Sequence, residues 1–382
     1  MSSGQDGVLL VGTFPPPIDG MSVVNIAVHE ALQRRGVRVT AVDSSGKCFG
    51  GVHYHLRRLA AHLRAILIML DPRRVVERTL CHGVNAGLSM PYTLAIVAVA
   101  RMAGMENMLY YHSSNYILRR SFLLSWIVRI AGPRCLHVLA SEEMVRKFRA
   151  TYAGARFQVV DNCAYVAEIS PPREHLREPV RIGLLSNLTM EKGLGLAIDT
   201  AKELRAHGTD VRLILAGPLV GADAEAAATR ARQDLADAVE FRGTVLGDAK
   251  TRFFEDIDVF LFPSLYAHET QSIVVPEAMA AGMPILVHDH NFIRDLLANS
   301  DIDHLLLPAD GSFPERAAEM IIAWRADPHR YAADARRCRE RFDALRERGL
   351  GQFERLIGEL APTSRRCRSS GEAQGRIAHG HD

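Results

Sequence analysis

The chain has 382 residues, 48% hydrophobic and 24% charged, with a net charge of +2. Those figures exclude a disordered or fibrous protein and leave room for two domains of ordinary size. The small net charge conceals an asymmetry, because residues 1–178 carry 21 Lys/Arg against 13 Asp/Glu while the remainder carries 25 against 31. A basic first half suggests an acidic partner, with anionic lipid headgroups or nucleic acid as candidates, against the alternative of solvated arginines. Six cysteines, at 48, 81, 135, 163, 338 and 367, form no CxxC pair. This argues for reduced thiols rather than a disulfide framework or a zinc site. The start, MSSGQDGVLLVG, has no basic n-region, so no secretory signal is expected. No apolar run reaches membrane-spanning length; Leu94 to Ala100 is the strongest, and Arg101 ends it.

In chain order, Val8 to Thr13 reads as a strand and Phe14 to Gly20 as a rigid proline loop. Ser22 to Arg35 is then a helix with Val23, Val24, Ile26, Ala27, Ala31 and Leu32 on one broad face, and Val37 to Val42 the next strand. Gly20 at the helix entrance leaves room for an anion to meet backbone amides, although the spacing is not GxGxxG. His53 to Leu70 reads as an amphipathic helix. Leu56, Leu59, Ala60, Leu63, Ile66 and Leu67 form one side, and His53, His55, Arg57, Arg58, His62 and Arg64 cluster opposite and at its start. Such a helix either turns its leucines to the core or lies on an anionic membrane. Further strand–helix pairs follow: Arg78–His82 and a helix from about Ser89; Asn107–Tyr111 and a helix near Ile117–Ala131; Leu136–Ala140 and Glu142–Thr151; then Phe157–Val160. His112, just past a strand end, faces a ligand crevice or is a hydrogen-bonded surface histidine.

Ser170 to Pro179 is proline-rich and charged, as an interdomain linker would be. A second alternating set begins with strand Val180–Leu185, the segment Ser186 to Gly193, and a helix to His207. Strands Val211–Ala216, Val239–Phe241, Val259–Phe262, Ile285–Val287 and His304–Leu307 alternate with helices near 223–237, 248–255, 292–298 and 313–324. Residues 328–348 read as a charge-dense helix, 352–357 as a last short one, and the tail from Pro362 as disordered. Two such βα sets predict an α/β protein of two doubly wound, Rossmann-like domains facing across a cleft. Its parts are 1–178, 179–349, a helix at 350–361 and a tail at 362–382.

The chemistry concentrates in PSLYAHETQSIVVPEAMAAGMP, residues 263–284, where Glu269 in a loop precedes Glu277 in a helix. A solvated loop charge and a first-turn dipole partner are the plain alternative. Lys192, in a turn after a strand, supplies a mobile cation beside a helix start, and the amides of Ser272 and Ile273 supply fixed donors. His288-Asp289-His290 offers only two imidazoles at alternating positions, which suits a loop lining the cleft better than a metal site.

The Pro-rich loop with Gly20, His112, LSNLTMEKG, LILAGP, VEFRGTV and the E-x7-E block with EAMAAGMP together resemble family 4 retaining glycosyltransferases of the GT-B fold. The resemblance implies a nucleotide-sugar donor, UDP- or GDP-linked, held by the second domain and a glycan or lipid-linked acceptor held by the first, with the last helix crossing back. It implies Glu269, His112 and Lys192 as catalytic residues. Gly20, Asn187, Lys192, Gly217, Val245, Ser272, Ile273 and Glu277 form the donor site, with Glu277 on the ribose. Neither a cofactor nor a metal is expected, and no nucleic acid. Whether Glu269 acts as a nucleophile or the reaction runs on one face stays open. The resemblance implies a setting in surface-polysaccharide or glycolipid assembly, while the scattered cysteines point to the cytoplasm and the basic face of the first half to a peripheral place on the inner membrane face. An epimerase of the same fold or a non-catalytic nucleotide-sugar-binding subunit are the rivals. Three departures stand out: Asn187 where an arginine is usual, Thr270-Gln271-Ser272 where glycines are frequent, and Met21 in place of a second glycine.

Overall fold

The computed structural model describes residues 7–16, 20–45, 52–71, 77–152, 154, 156–167 and 170–361. Cys48, Cys367, the Pro17–Asp19 part of the first loop and the 362–382 tail lie outside the described residues. Two six-stranded sheets, each wholly parallel, carry the chain. In the first, β1 (Gly7–Gly12), β2 (Val39–Asp43), β3 (Glu77–Val84), β4 (Glu106–Tyr111), β5 (Leu136–Leu139) and β6 (Arg156–Val159) lie in the order β2-β1-β3-β4-β5-β6. In the second, β7 (Val180–Leu185), β8 (Val211–Ala216), β9 (Val239–Gly243), β10 (Val259–Phe262), β11 (Ile285–His288) and β12 (Leu306–Leu307) lie in the order β12-β11-β10-β7-β8-β9. The order reverses between β1 and β3 and again between β7 and β10. Parallel sheets collect ligands beyond the strand carboxyl ends at such reversals.

Strand periodicity decides which helices cover which face. Val8 and Leu10 point into a core shared with Val24, Val28 and Leu32 of helix Gly20–Arg34. Leu9 and Val11 point to the opposite core, where helices Val52–Leu70, Met90–Met102, Phe122–Ala131 and Glu142–Thr151 pack. The second domain buries β10 completely, with Phe260 and Phe262 stacked 6.2 Å apart. The 170–179 segment is bound to the second domain: Ser170 N donates to Ala280 O at 2.9 Å and Arg173 N to Gly282 O at 2.7 Å.

Four expectations need correction. The helix read over 117–131 divides into Asn115–Leu118 and Phe122–Ala131. Arg119 turns extended, and the Ser121 hydroxyl accepts from Leu124 N at 3.3 Å, capping a new start. The two helices read at 328–348 and 352–357 are one, Pro328–Leu360. Gly349 does not break it because its bare Cα faces a neighbour: a Cβ there would sit 3.2 Å from Ala164 Cβ. The end of this helix places Phe353, Leu356, Ile357 and Leu360 in the first domain's core beside Val8 and Leu10, and Gln158 Nε2 donates to Gln352 O at 2.8 Å. The strand read at 304–307 keeps only Leu306–Leu307, after a 3-10 turn at Asp303–Leu305.

The fourth correction concerns the core-facing reading of helix Val52–Leu70. It buries His62 and Ala65 and leaves Leu56, Leu59, Leu63, Leu67 and Leu70 exposed. Polar side chains can turn inward here because they meet polar or aromatic partners on the neighbouring elements. Arg58 donates to Ser89 Oγ at 2.7 Å and to Tyr54 OH at 2.9 Å, and His62 stacks on Tyr92 at 4.7 Å.

Candidate active site

The second reversal point holds two of the residues singled out from sequence. The turn after β7 reaches the exit of β10 only because residue 193 lacks a side chain. Gly193 has φ +87°, and a Cβ would lie 2.4 Å from Pro263 O. Leu265 N then donates to Glu191 O at 2.9 Å, locking the two loops edge to edge. In that frame Lys192 Nζ ion-pairs with Glu269 Oε2, which also accepts from the Ser264 hydroxyl at 3.3 Å. The ammonium also lies 4.5 Å from the centroid of the Tyr266 ring. Glu269 is buried, at 7% exposure, so its charge depends on these partners.

Glu277 is placed separately, on the short helix Val274–Ala280, whose entrance is formed by Ser272 and Ile273. Its Oε1 meets Lys250 Nζ at 2.6 Å, from helix Asp248–Asp256. A cavity of about 560 Å³ opens against Glu277, Lys250, Arg173, Pro172, Tyr165 and Val23, and so lies between the two domains. It does not reach Lys192 or Glu269. Of the two glutamates, only Glu277 borders this cavity.

The loops after β7, β8 and β9 form the rim. Gly217 has φ +120°, and a Cβ there would fall 1.7 Å from Ser186 O, so the loops after β7 and β8 approach this closely only with glycine at 217. Leu188 N donates to Pro218 O at 2.8 Å and Gly217 N to Gly243 O at 2.6 Å. Asn187 is exposed on this rim and Val245 is buried beneath it.

The facing wall comes from the first domain. His112 follows β4 and stacks on Tyr110 with centroids 6.0 Å apart. Burial pushes its imidazole down to about 4, so the ring is neutral at pH 7. Its Nε2 is buried with no hydrogen-bond partner among the described residues, as is Gln271 Oε1 on the facing loop. Gly20 is the exposed first residue of its helix. Neighbouring Met21 and His112 both border Gly83, where a Cβ would meet Met21 Sδ at 3.0 Å and His112 Cδ2 at 3.6 Å. The walls are tied directly: Ser113 Oγ lies 3.0 Å from His268 Nδ1, and Ser114 Oγ donates to Ala267 O at 2.7 Å. His112 thus sits one residue from a contact that ends one residue before Glu269.

Sequence reasoning missed Lys250, Tyr266, His268 and Asn291. Asn291 has φ +49° and donates to Tyr266 O at 3.4 Å. Tyr266 and His268 lie inside the stretch already singled out and needed only attention to aromatic neighbours. Lys250 carries no local signal. His288, read with its neighbours as a loop at the cleft, is instead the last residue of β11, fully buried and edge-on to Phe313 at 4.8 Å. Among the described residues no three His, Cys, Asp or Glu side chains group closely enough to hold a metal.

Comparison with known proteins bears on this arrangement. Residues 179–327 match the family model described as glycosyl transferases group 1. The amylovoran biosynthesis glycosyltransferase AmsK of Erwinia amylovora is 32% identical over 134 residues, 34% of this chain and 32% of that one. A GDP-mannose-dependent alpha-mannosyltransferase of Mycolicibacterium smegmatis is 30% identical over 198 residues, 48% of this chain and 47% of the relative. The chain thus spans less than half the length of these curated relatives. Among solved structures, sucrose-phosphate synthase from Thermosynechococcus elongatus superposes with TM-score 0.66 at 15% identity, over 93% of this chain and 99% of that one. HepE of Anabaena, in complex with UDP, gives 0.66 at 14% identity over 92% and 100%. These likenesses establish the GT-B fold.

Proposed function

We propose, from the premise that residues 179–327 belong to the glycosyl transferases group 1 family, that the protein is a retaining glycosyltransferase. It takes its sugar from a nucleotide-sugar donor, UDP- or GDP-linked, and passes it to a glycan or lipid-linked acceptor in polysaccharide or glycolipid assembly. The observation that carries this reading is the Lys192–Glu269 pair at the β7/β10 reversal, with neutral His112 one contact away across the cleft. The relatives' names support the setting, since AmsK is called an amylovoran biosynthesis glycosyltransferase and HepE is held with UDP.

The chemistry divides along the site. A sugar at Glu269 has its anomeric carbon beside a buried carboxylate that favours positive charge at that carbon. The bond from that carbon to the diphosphate oxygen breaks with its electron pair on the leaving nucleoside diphosphate. The bond to the acceptor oxygen forms, and the acceptor hydroxyl proton passes to the departing diphosphate oxygen. Lys192 meets the departing negative charge in this reading, the role a preorganised cation plays at a leaving group. Its ammonium fulfils the charge compensation for which a metal would otherwise be needed. Glu277 and Lys250, at the cavity between the domains, suit the ribose and base. His112, neutral with an unoccupied Nε2, is suited to bond a sugar or acceptor hydroxyl. A lipid-linked acceptor would place the work on the inner face of a membrane, with the enzyme peripheral to it.

The test is transfer itself. UDP- and GDP-sugars are screened by thermal shift, and nucleoside diphosphate release is followed with and without a saccharide or polyprenyl-phosphate-sugar acceptor. Release that requires the acceptor, with the donor's anomeric configuration kept in the product, is the expected result. Donor turnover to a new nucleotide sugar without acceptor would identify an epimerase instead. Absence of any donor-induced shift would overturn the site.

A further inference from the structure

We propose that the exposed leucine stripe of helix Val52–Leu70, together with Phe122 and Trp126, is a docking surface for an anionic lipid bilayer. The proposal deepens the peripheral membrane placement in the proposed function, and it stands on residues separate from the catalytic ones. Leu56, Leu59, Leu63, Leu67 and Leu70 are 41–69% exposed and follow one another at intervals of three and four, so they form a single face. Helix Met90–Met102 packs beside this helix, and helix Phe122–Ala131 packs beside Met90–Met102. There Phe122 is 73% and Trp126 43% exposed, edge to face at 6.2 Å. Met102, at the end of the middle helix, is 76% exposed. Large apolar side chains gathered on neighbouring helices mark an interaction surface.

Charge selects the occupant. The sequences of these three helices contain no Asp or Glu at all. Their charged side chains are arginines: Arg57, Arg58, Arg64, Arg101 and Arg129, with Arg119 and Arg120 immediately before the third helix. A face turned to water ordinarily mixes both signs. An apolar stripe with exposed Arg57 and Arg64 on its own helix, Asp71 just past its end as the one adjoining acid, and a tryptophan on a helix of the same layer has the composition of a surface lying in the headgroup region of an anionic membrane. A second copy fits poorly, because two such faces in contact would bring like charges together. The direction is also apt: each helix follows a strand of a parallel sheet, so each begins at the end of the sheet where the cleft lies.

The test uses the full chain with vesicles of equimolar phosphatidylcholine and phosphatidylglycerol, and of phosphatidylcholine alone. Cosedimentation with the anionic vesicles at low salt, weaker with the neutral ones, is expected. A blue shift of tryptophan emission from Trp126 should accompany it and vanish in W126F, since Trp324 is buried. Leu63→Glu/Leu67→Glu should lower the bound fraction by roughly tenfold or more at every salt concentration, and Arg57→Glu/Arg64→Glu should do so chiefly at low salt. All five residues are exposed, so unchanged thermal midpoints show that the fold is intact. Wild-type indifference to anionic vesicles, or full binding by the leucine variant, would overturn the proposal. So would a vesicle-indifferent dimer that L63E/L67E converts to a monomer.

Discussion

Glu269 meets Lys192 and the Ser264 hydroxyl, whereas Glu277, one helix entrance later, meets Lys250. Removing Lys192 leaves the buried Glu269 carboxylate without its partner, and removing either residue takes away a group the proposed mechanism uses. Lys192→Ala and Glu269→Ala should each lower kcat by at least about a hundredfold, as loss of one charge-stabilising group generally does. Rapid-quench turnover with a saturating donor measures it. Glu277→Ala should act mainly on donor KM, since its carboxylate borders the cavity rather than the Lys192 pair. Asn187 allows a gain-of-charge test. It is exposed on the rim beside Gly217, so Asn187→Arg places a guanidinium there without a burial cost. Donor KM should fall by roughly tenfold if the rim faces the diphosphate, by the bidentate pairing arginine makes with phosphates. At this scale the glutamates and the lysine were legible because a strand end, a polar turn and a helix start surround each. Lys250 was not, because its meeting with Glu277 joins helices 27 residues apart.

At the scale of elements, glycines set how closely the loops approach. Gly217 combines φ +120° with a carbonyl oxygen 1.7 Å from any added Cβ, whereas Gly208, at φ +73°, has open space around that position. Gly208→Ala should therefore cost about 1 kcal/mol of backbone strain alone, and Gly217→Ala at least about 3 kcal/mol because the β7 and β8 loops must also separate. Urea midpoints of the two variants check the difference. Most elements were legible to within two or three residues from apolar period and bounding Gly or Pro. Helix Val52–Leu70 is the instructive exception. Its sequence pattern announces two faces without saying which is covered, and the hydrogen bond of Arg58 to Ser89 and the stacking of His62 on Tyr92 decided in favour of the polar one.

At the scale of the molecule, the 33-residue helix Pro328–Leu360 begins against the second domain and ends in the core of the first. Leu356→Ala should destabilise by about 2–5 kcal/mol, the range for emptying a buried leucine site, and should loosen the first domain before the second. Domain-resolved hydrogen exchange reads that order. Acid stability is a second global property. His82, His112, His137 and His288 are each lowered from 6.5 to about 4 by burial. The folded chain holds them neutral while the unfolded chain protonates them, so their contribution is present above about pH 6.5 and is lost as pH falls toward 4. Each accounts for about 1–3 kcal/mol at the lower end. Asp161 and Asp295, raised by burial, act in the opposite direction. A falling urea midpoint between pH 7 and 5, with net proton uptake on unfolding at pH 5, is expected.

Local pattern alone determined the two alternating α/β sets, the class of fold and the residues worth watching in 263–284. These depend on period, on glycine and proline, and on charges placed at strand ends, all of which act within a dozen residues. Tertiary structure decided which partner each of those charges meets, that Gly349 lies inside one continuous helix, and that five leucines face outward. Those outcomes depend on contacts between segments far apart in the chain, where the free energy of burial and pairing is summed over both sides. A single helix carries only one side of that sum.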